Sequence, residues 1–525
     1  MRPKTMALCL GALLGCSQSG ALPGAGGSGG AAGAGGSSSA GGASGSTATG
    51  GVAGTGGSGG GGVGGSGGAA GAGVASCPTP PAGPTGTSDA VAGTLITFND
   101  NGGWSWYQDE RAVVDTRANK LIIGSTASGG SRSGQNEAVI YDLASGTPTR
   151  YTLPSSLAIS NVDDHNSPAL LIRPDGQYLA QWSGHHVDCL SRFSVFDGTK
   201  WGPEVQVDWT SLGCPWAGAT TNMVTYSNPW YLGSSIYSFV RSIATDPAAL
   251  TSADDGQTFS YYGRLMDTGQ APYAGGYFKY WGNNTDRIDF VGTEAHPRDA
   301  DNSLYHGYIS GGKVYDSAGA VKDSSLHDSG ATITNSLNID IYTPVFKTGT
   351  SVSGMNICRL WNHDIVRYAD GTIAVLGQGR ADTCDSTPYG SDPDKRMLYF
   401  RFDGSSWKTT YLVKGGAKLF ADEEDYIGLG ALVPDDPNTI YISTPYDPTT
   451  DTMGSSGKHE IWRGTTCDNG ATFTWTPVTK GSTKDNIRPV VPKWDASHTA
   501  LLWMRGTYSS SQSYATQIVG TITGP

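Results

Sequence analysis

The chain has 525 residues, 77 of them glycine, and a formal net charge of −12 from 34 basic and 46 acidic side chains. An acidic chain without a basic cluster excludes the electrostatic footprint of a nucleic-acid binder. No apolar run is long enough to cross a bilayer as a helix, which takes about 20 residues.

At the N-terminus, Arg2 and Lys4 precede a mostly apolar stretch from Met6 to Leu14, which ends in Gly15-Cys16. Charge, short apolar run and small residue are the order of a bacterial secretory signal. A cysteine directly after the small residue resembles a lipobox, which implies cleavage after residue 15 and lipidation of Cys16. Plain secretion with an incidental cysteine is the alternative. Residues 16–76 are almost entirely Gly, Ala and Ser and contain no acidic or aromatic residue. Such a segment cannot bury enough apolar surface to offset chain entropy, so a disordered, flexible tether is expected. The product would be exported, and held at the outer membrane or cell surface by a lipid.

Residues 77–525 are the expected folded domain, a monomer. They are long for one ordinary core and contain no second linker, which favours a repeat architecture. Helical periodicity is nearly absent. A strand, a polar turn and a second strand recur at 112–126, 169–184, 228–242, 278–293, 364–379, 431–445 and 490–506. The turns are mostly about 50 to 65 residues apart, with one longer gap before Asp370; in an all-β chain that period indicates four-stranded propeller blades. Seven units predict an all-β, seven-bladed β-propeller, with two β-sandwiches as the rival. Ser252–Phe259 and Thr466–Phe473 fit the pattern S/T-x-D-x-G-x-T-W/F. Both resemble the Asp-box turns of sialidase-like propellers, and 197–201 and 403–407 are degenerate versions. An aspartate can accept backbone N–H groups in such a turn while glycine supplies a positive φ. Six cysteines follow the lipobox; Cys189 with Cys214 and Cys358 with Cys384 are the expected pairs, and Cys77 with Cys467 a weaker one.

Polar residues that interrupt apolar inner strands are the candidates for chemistry. Trp104 and Trp106, with Gln108 nearby, could stack a sugar or could be blade core. His165 and His185 each lie ten residues from Asp175. A hairpin turning at Asp175-Gly176 therefore brings them side by side, and histidine is the side chain suited to proton transfer near neutral pH. His186 beside them reads as a structural histidine or a further contact; a zinc pair lacks an obvious third ligand. Tyr226 and Arg241 flank the next hairpin in the same way, and a buried arginine needs an anionic partner, structural or substrate. His296, Arg298 and Arg488 combine a base or cation with a strand end, as do Glu294, His306 and His363.

The segments WSWYQDERAVV (104–114), DDHNSPALLIRPDG (163–176), WSGHH (182–186), YSNPWYL (226–232) and FVR (239–241) resemble the BNR-repeat-containing family. So do EAHPRDADNSLYH (294–306), EEDYIGLGALVPDDPN (423–438) and DNIRPVVP (485–492). The resemblance spans nearly the whole domain and implies a seven-bladed propeller. The family includes ulvan lyases, which act on an acidic polysaccharide, and members without assigned activity. By position it implies His165, His185 and Tyr226 as catalytic groups, with base and acid unassigned, and Arg241 on the substrate carboxylate. Trp106, Gln108, His186, His296, Arg298 and Arg488 would contact substrate. No cofactor is needed for β-elimination. Some propeller lyases carry zinc or calcium, a structural ion for which this sequence offers no clear ligand set. Two departures weigh against a simple transfer: the doubled His185-His186, and an acidic domain facing an anionic polymer. The competing readings are a glycoside hydrolase of rhamnosidase or sialidase type, which would need a carboxylate pair such as Asp163, Asp164 or Glu294, and a glycan-binding lipoprotein without activity.

Overall fold

A computed structural model describes residues 80–216, 224–269, 275–328, 337–385, 388, 390–421 and 423–524. Residues Met1–Val74 separate from Ala75–Pro525. Cys16, the tether and Cys77 lie outside the described residues.

Each recurring hairpin forms the first two strands of one blade, and the seven blades make a β-propeller. Blade 1 is built of Ala112–Asp115, Lys120–Thr126, Asn136–Asp142 and Thr147–Thr152, each antiparallel to the one before. Blade 2 runs from Ala169 to Asp208 and blade 3 from Thr225 to Arg264 in the same four-strand meander. Blade 4 starts at Phe278–Gly282 and carries two extra strands, Val321–Asp323 and Thr343–Phe346. That insertion is the physical origin of the long gap before Asp370. Blades 5 and 6 follow, with inner strands Met355–Arg367 and Gly430–Leu432. Blade 7 takes three strands from the C-terminus, Asp485–Val490, Thr499–Ser510 and Ser513–Thr523, and its fourth, Ile96–Asn99, from the start of the domain. The ring is closed by this antiparallel pairing of its two ends.

Burial follows position in the ring. The inner strand Thr225–Leu232 is buried at every residue, whereas the outer strand Thr147–Thr152 is almost wholly exposed. Inner strands touch neighbours on both faces, so their apolar residues run on without alternation. Cys189 pairs with Cys214 and Cys358 with Cys384. Cys467 is also disulfide-bonded.

The Asp boxes sit between the third and fourth strands of blades 3 and 6. In one, the Thr258 backbone N–H donates to Asp254 Oδ1 at 2.9 Å and Gly256 N–H to Ser252 Oγ at 2.8 Å. In the other, Thr472 N–H donates to Asp468 Oδ1 and Gly470 N–H to Thr466 Oγ1 at the same two distances. Gly470 has φ 83°, and a Cβ there would lie 2.1 Å from the Tyr399 ring, so only glycine fits. The degenerate turns at Asp197 and Asp403 occupy the same connection in blades 2 and 5, each aspartate accepting two backbone N–H groups.

Candidate active site

The inner strands all run outward from one mouth of the ring, and at that mouth several are broken by a bulge. Register shifts between Thr225 and Asn228, Cys358 and Trp361, and Ile487 and Val490 coincide with Tyr226 at φ 62°, Arg359 at φ 52° and Arg488 at φ 54°. A bulge re-aims a side chain, and a bulky residue held at positive φ costs on the order of 1–3 kcal/mol unless its surroundings impose it. Blades 3, 5 and 7 therefore each spend backbone regularity on placing one large polar side chain at the axis.

His165 lies in a short 3-10 turn, Asp164–Asn166, that leads into blade 2; Asp163 caps the turn by accepting the His165 backbone N–H at 3.0 Å. His185 follows the second strand of that blade. The hairpin stacks the two imidazoles with ring centroids 4.3 Å apart and planes 16° from parallel. The expected pairing of the histidines is met, and its clamp is a residue the sequence reading did not single out for that part. Asp163 Oδ1 accepts from His165 Nδ1, and its Oδ2 lies 3.0 Å from His185 Nδ1. Gln512, from the turn between the last two strands, donates to the same Oδ2 at 2.7 Å. Asp164 Oδ1 lies 3.0 Å from the same His165 Nδ1, while its other oxygen pairs with Arg488 and accepts from Tyr508 OH at 2.6 Å.

The charges follow from this geometry. Burial alone would lower the His165 pKa, but Asp163 and Asp164 outweigh it and hold it up to about 10. Burial, then the charge on His165, press His185 below its ordinary value of 6.5. Burial would raise the Asp163 carboxyl, yet the two histidines keep it well below the usual carboxylate range. Near neutral pH, His165 is an imidazolium, Asp163 is ionised, and His185 is neutral. Its Nδ1–H faces Asp163, so Nε2 carries the lone pair. His186 meets His185 edge-on at 3.9 Å and is held down to about 3 by burial and by His185.

Tyr226 sits 5.6 Å from the His165 ring and 6.4 Å from His185 between centroids. Burial keeps its phenol protonated, far above 10. Arg241, paired across blade 3 with Thr225, donates to the Gly275 carbonyl at 3.0 Å, and its guanidinium stands 4.6 Å from the Tyr277 ring centre.

Three residues expected to touch substrate occupy a lower layer. Trp106 is 2% exposed and donates to the Asn362 carbonyl at 3.2 Å. Gln108 donates to the Asp164 carbonyl at 3.1 Å, and Arg488, 1% exposed, braces Asp164. Each is enclosed, and Gln108 and Arg488 hold Asp164, and with it the histidine clamp, from below. Trp106 and Tyr107 instead join Tyr226, Tyr277, Trp361 and Tyr426 in a layer of aromatic rings across the axis, successive centroids 4.8 to 5.7 Å apart. His296 lies against this layer, 5.1 Å from both Tyr277 and Trp361, and burial takes its pKa well below 6.5. Arg298 pairs with Glu423 at 2.8 Å. Burial lifts Glu423 to about 7 despite that cation. Tyr426 OH reaches His165 Nε2 at 3.3 Å. Glu423 and Tyr426 stand in the quoted run 423–438, where the acidic pair next to an aromatic was the available signal; nothing local marks Gln512. His306 bonds Asp289 at 3.1 Å inside blade 4, His363 bonds Gln378 at 2.9 Å, and Glu294 accepts from Ser303 and Tyr305, so these three are structural.

Asp163, His165 and His185 also offer three ligand atoms within 4.8 Å of one another. Asp163 is the third ligand that the sequence reading lacked. An ion there would have to displace the two Asp163 hydrogen bonds and the His165 proton.

The chain matches no protein-family model and no curated protein. The resemblance to the BNR-repeat-containing family thus rests on the quoted motifs. Among solved structures it is similar to a polysaccharide lyase of a new family, an ulvan lyase, bound to -[GlcA(1-4)Rha3S]- (14% identity, TM-score 0.55, covering 82% of this chain and 96% of that one). A second structure of the ulvan lyase gives 15% identity and TM-score 0.54 with the same coverage. At such identity the likeness is one of fold, the seven-bladed propeller.

Proposed function

We propose that this protein is a polysaccharide lyase that cleaves a uronic-acid-containing, ulvan-like polymer by β-elimination. The observation that carries the reading is the stacked pair His165 and His185 clamped by one ionised carboxylate, which sets one ring charged and the other neutral. In this reading Arg241 and the His165 imidazolium neutralise the substrate carboxylate, which acidifies the C5–H. Nε2 of His185, oriented through Asp163, takes that proton as general base. The electron pair moves into the C4–C5 bond, the C4–O4 bond breaks, and the Tyr226 hydroxyl protonates the departing O4. No water is consumed. That the ulvan lyase of similar fold binds a glucuronate-containing fragment supports the substrate class. Export and attachment through Cys16 belong to the same proposal, since polymers of this kind lie outside the cell.

One observation favours a glycoside hydrolase instead. Glu423, held near 7, and the ionised Asp163 would be an acid and a base. The test is the ultraviolet absorbance of the new C4–C5 double bond when residues 77–525 meet a panel of uronate polysaccharides, beside a His165→Ala/His185→Ala double variant. A rise that vanishes in the variant supports elimination at this clamp. Reducing ends released without the rise would overturn it in favour of hydrolysis, and binding without either product would leave a glycan-binding protein.

A further inference from the structure

The opposite end of the axis holds a cavity of about 230 Å³, lined among others by Trp230, Trp281, Trp494, Glu110, Asn284 and Lys493. Its separation from the histidines follows from strand direction. Tyr226 lies at the start of the blade 3 inner strand, at the histidine mouth, and Trp230 lies further along it; in blade 4, Tyr277 directly precedes the inner strand and Trp281 lies on it; in blade 7, Arg488 lies on the inner strand and Trp494 four residues past its end. The aromatic layer closes the axis between them.

Three features of this cavity call for a ligand. Three of the chain's 14 tryptophans converge there, from three different blades. Trp230 is itself nearly enclosed, 3% exposed. Gly282 lets that indole approach: a Cβ there would lie 2.7 Å from Trp230 Cε3. Glu110 also lines a small polar chamber of about 20 Å³, shared with Asp109, Arg111, Asp364 and Trp281, just behind the cavity. Burial and the nearby Asp109 carboxylate push its pKa up to about 8, so near neutral pH it is a carboxylic acid able to donate. Asp109, by contrast, is bound by Lys279 and Arg111.

We infer that this cavity is a second, non-catalytic carbohydrate site that takes a neutral pyranose unit. Indole faces match the C–H face of a sugar ring, as an amphipathic aromatic wall requires. Sugar hydroxyls can accept from the Glu110 acid and can both accept from and donate to Asn284. An anionic sugar would pair with Lys493 but would set its charge against the Asp364 carboxylate behind Glu110. An aliphatic ligand would leave Glu110 unsatisfied. The site would hold a polymer chain to the protein on the face away from the clamp, whatever reaction the clamp performs.

The test is a calorimetric or saturation-transfer titration of the 77–525 chain with L-rhamnose, methyl β-D-glucopyranoside and sodium glucuronate, using wild type and three variants. A neutral probe should bind wild type and His185→Ala equally. Trp494→Ala, at a partly exposed ring, should weaken that binding roughly tenfold or more. Glu110→Gln, which keeps a donor, should retain it, and thermal melting checks that each variant folds. Absence of wild-type binding to either neutral probe, undiminished binding in Trp494→Ala, or loss of binding in His185→Ala would each overturn the assignment. Because no turnover is involved, failure here leaves the lyase reading untouched, and absence of elimination leaves this site standing.

Discussion

The Asp-box turns at the rim and the histidine mouth at the axis are built from the same kind of residue, an aspartate accepting nearby donors, to different ends. At the rim, Asp254 and Asp468 repeat one geometry in blades 3 and 6, and their partners are local backbone. At the mouth, Asp163 bridges two imidazoles and a glutamine from the far end of the chain, and among the described residues no other blade repeats it. Repetition around a propeller marks what every blade needs to fold. A residue that departs from the repeat, and is bonded across blades, is where function-specific work should be sought.

This contrast can be broken at several points. The largest effect is expected at His185→Ala, which should lower turnover by roughly a hundredfold to ten-thousandfold with the melting temperature unchanged; equal losses in both would make the ring structural. Next comes Asp163→Asn, which keeps the volume but removes the charge and the acceptor that fix the His185 tautomer. Turnover should fall by roughly a hundredfold or more, and the alkaline limb of the pH–rate profile should move down, because His165 loses the carboxylate that raises it. In wild type that profile should be a bell: kcat/KM rises through a limb below 6.5 as His185 loses its proton and falls near 10 as His165 loses its own. The linkage has a matching sign. The folded His165 pKa is raised, so the clamp's contribution to stability is complete below about 6.5 and is lost as pH climbs to about 10. A melting temperature that rises across that window would contradict the charge assignment. The smallest effect is expected at the rim, where Asp468→Ala should cost about 1–2 kcal/mol of stability and leave turnover as it was.

What could be read in the sequence divides along the same line. The hairpins of all seven blades, the Asp boxes, the pairs Cys189–Cys214 and Cys358–Cys384, and the stacking of His165 on His185 depend on turns and spacing within about one blade, which local pattern expresses. The bracing by Arg488 and Gln512 and the aromatic layer containing Trp106 depend on contacts between residues hundreds of positions apart, such as Gln512 with Asp163. No periodicity encodes those. Trp106 shows the difficulty: a tryptophan beside polar residues looks the same in sequence whether its ring faces solvent or, as here, Tyr107, Trp361 and Tyr426.

The strand Ile96–Asn99 completes blade 7 by pairing with Ser513–Thr523, and this sets the timing of assembly. During synthesis this strand emerges early and must wait, unpaired, for the last one to be made. An unsatisfied strand edge held open for the length of the chain is a hazard for pairing with other molecules, and the wait extends through any passage across a membrane as an unfolded thread. Loss of the final eleven-residue strand would therefore do more than trim one blade: it would leave a ring with no clasp, open at both ends.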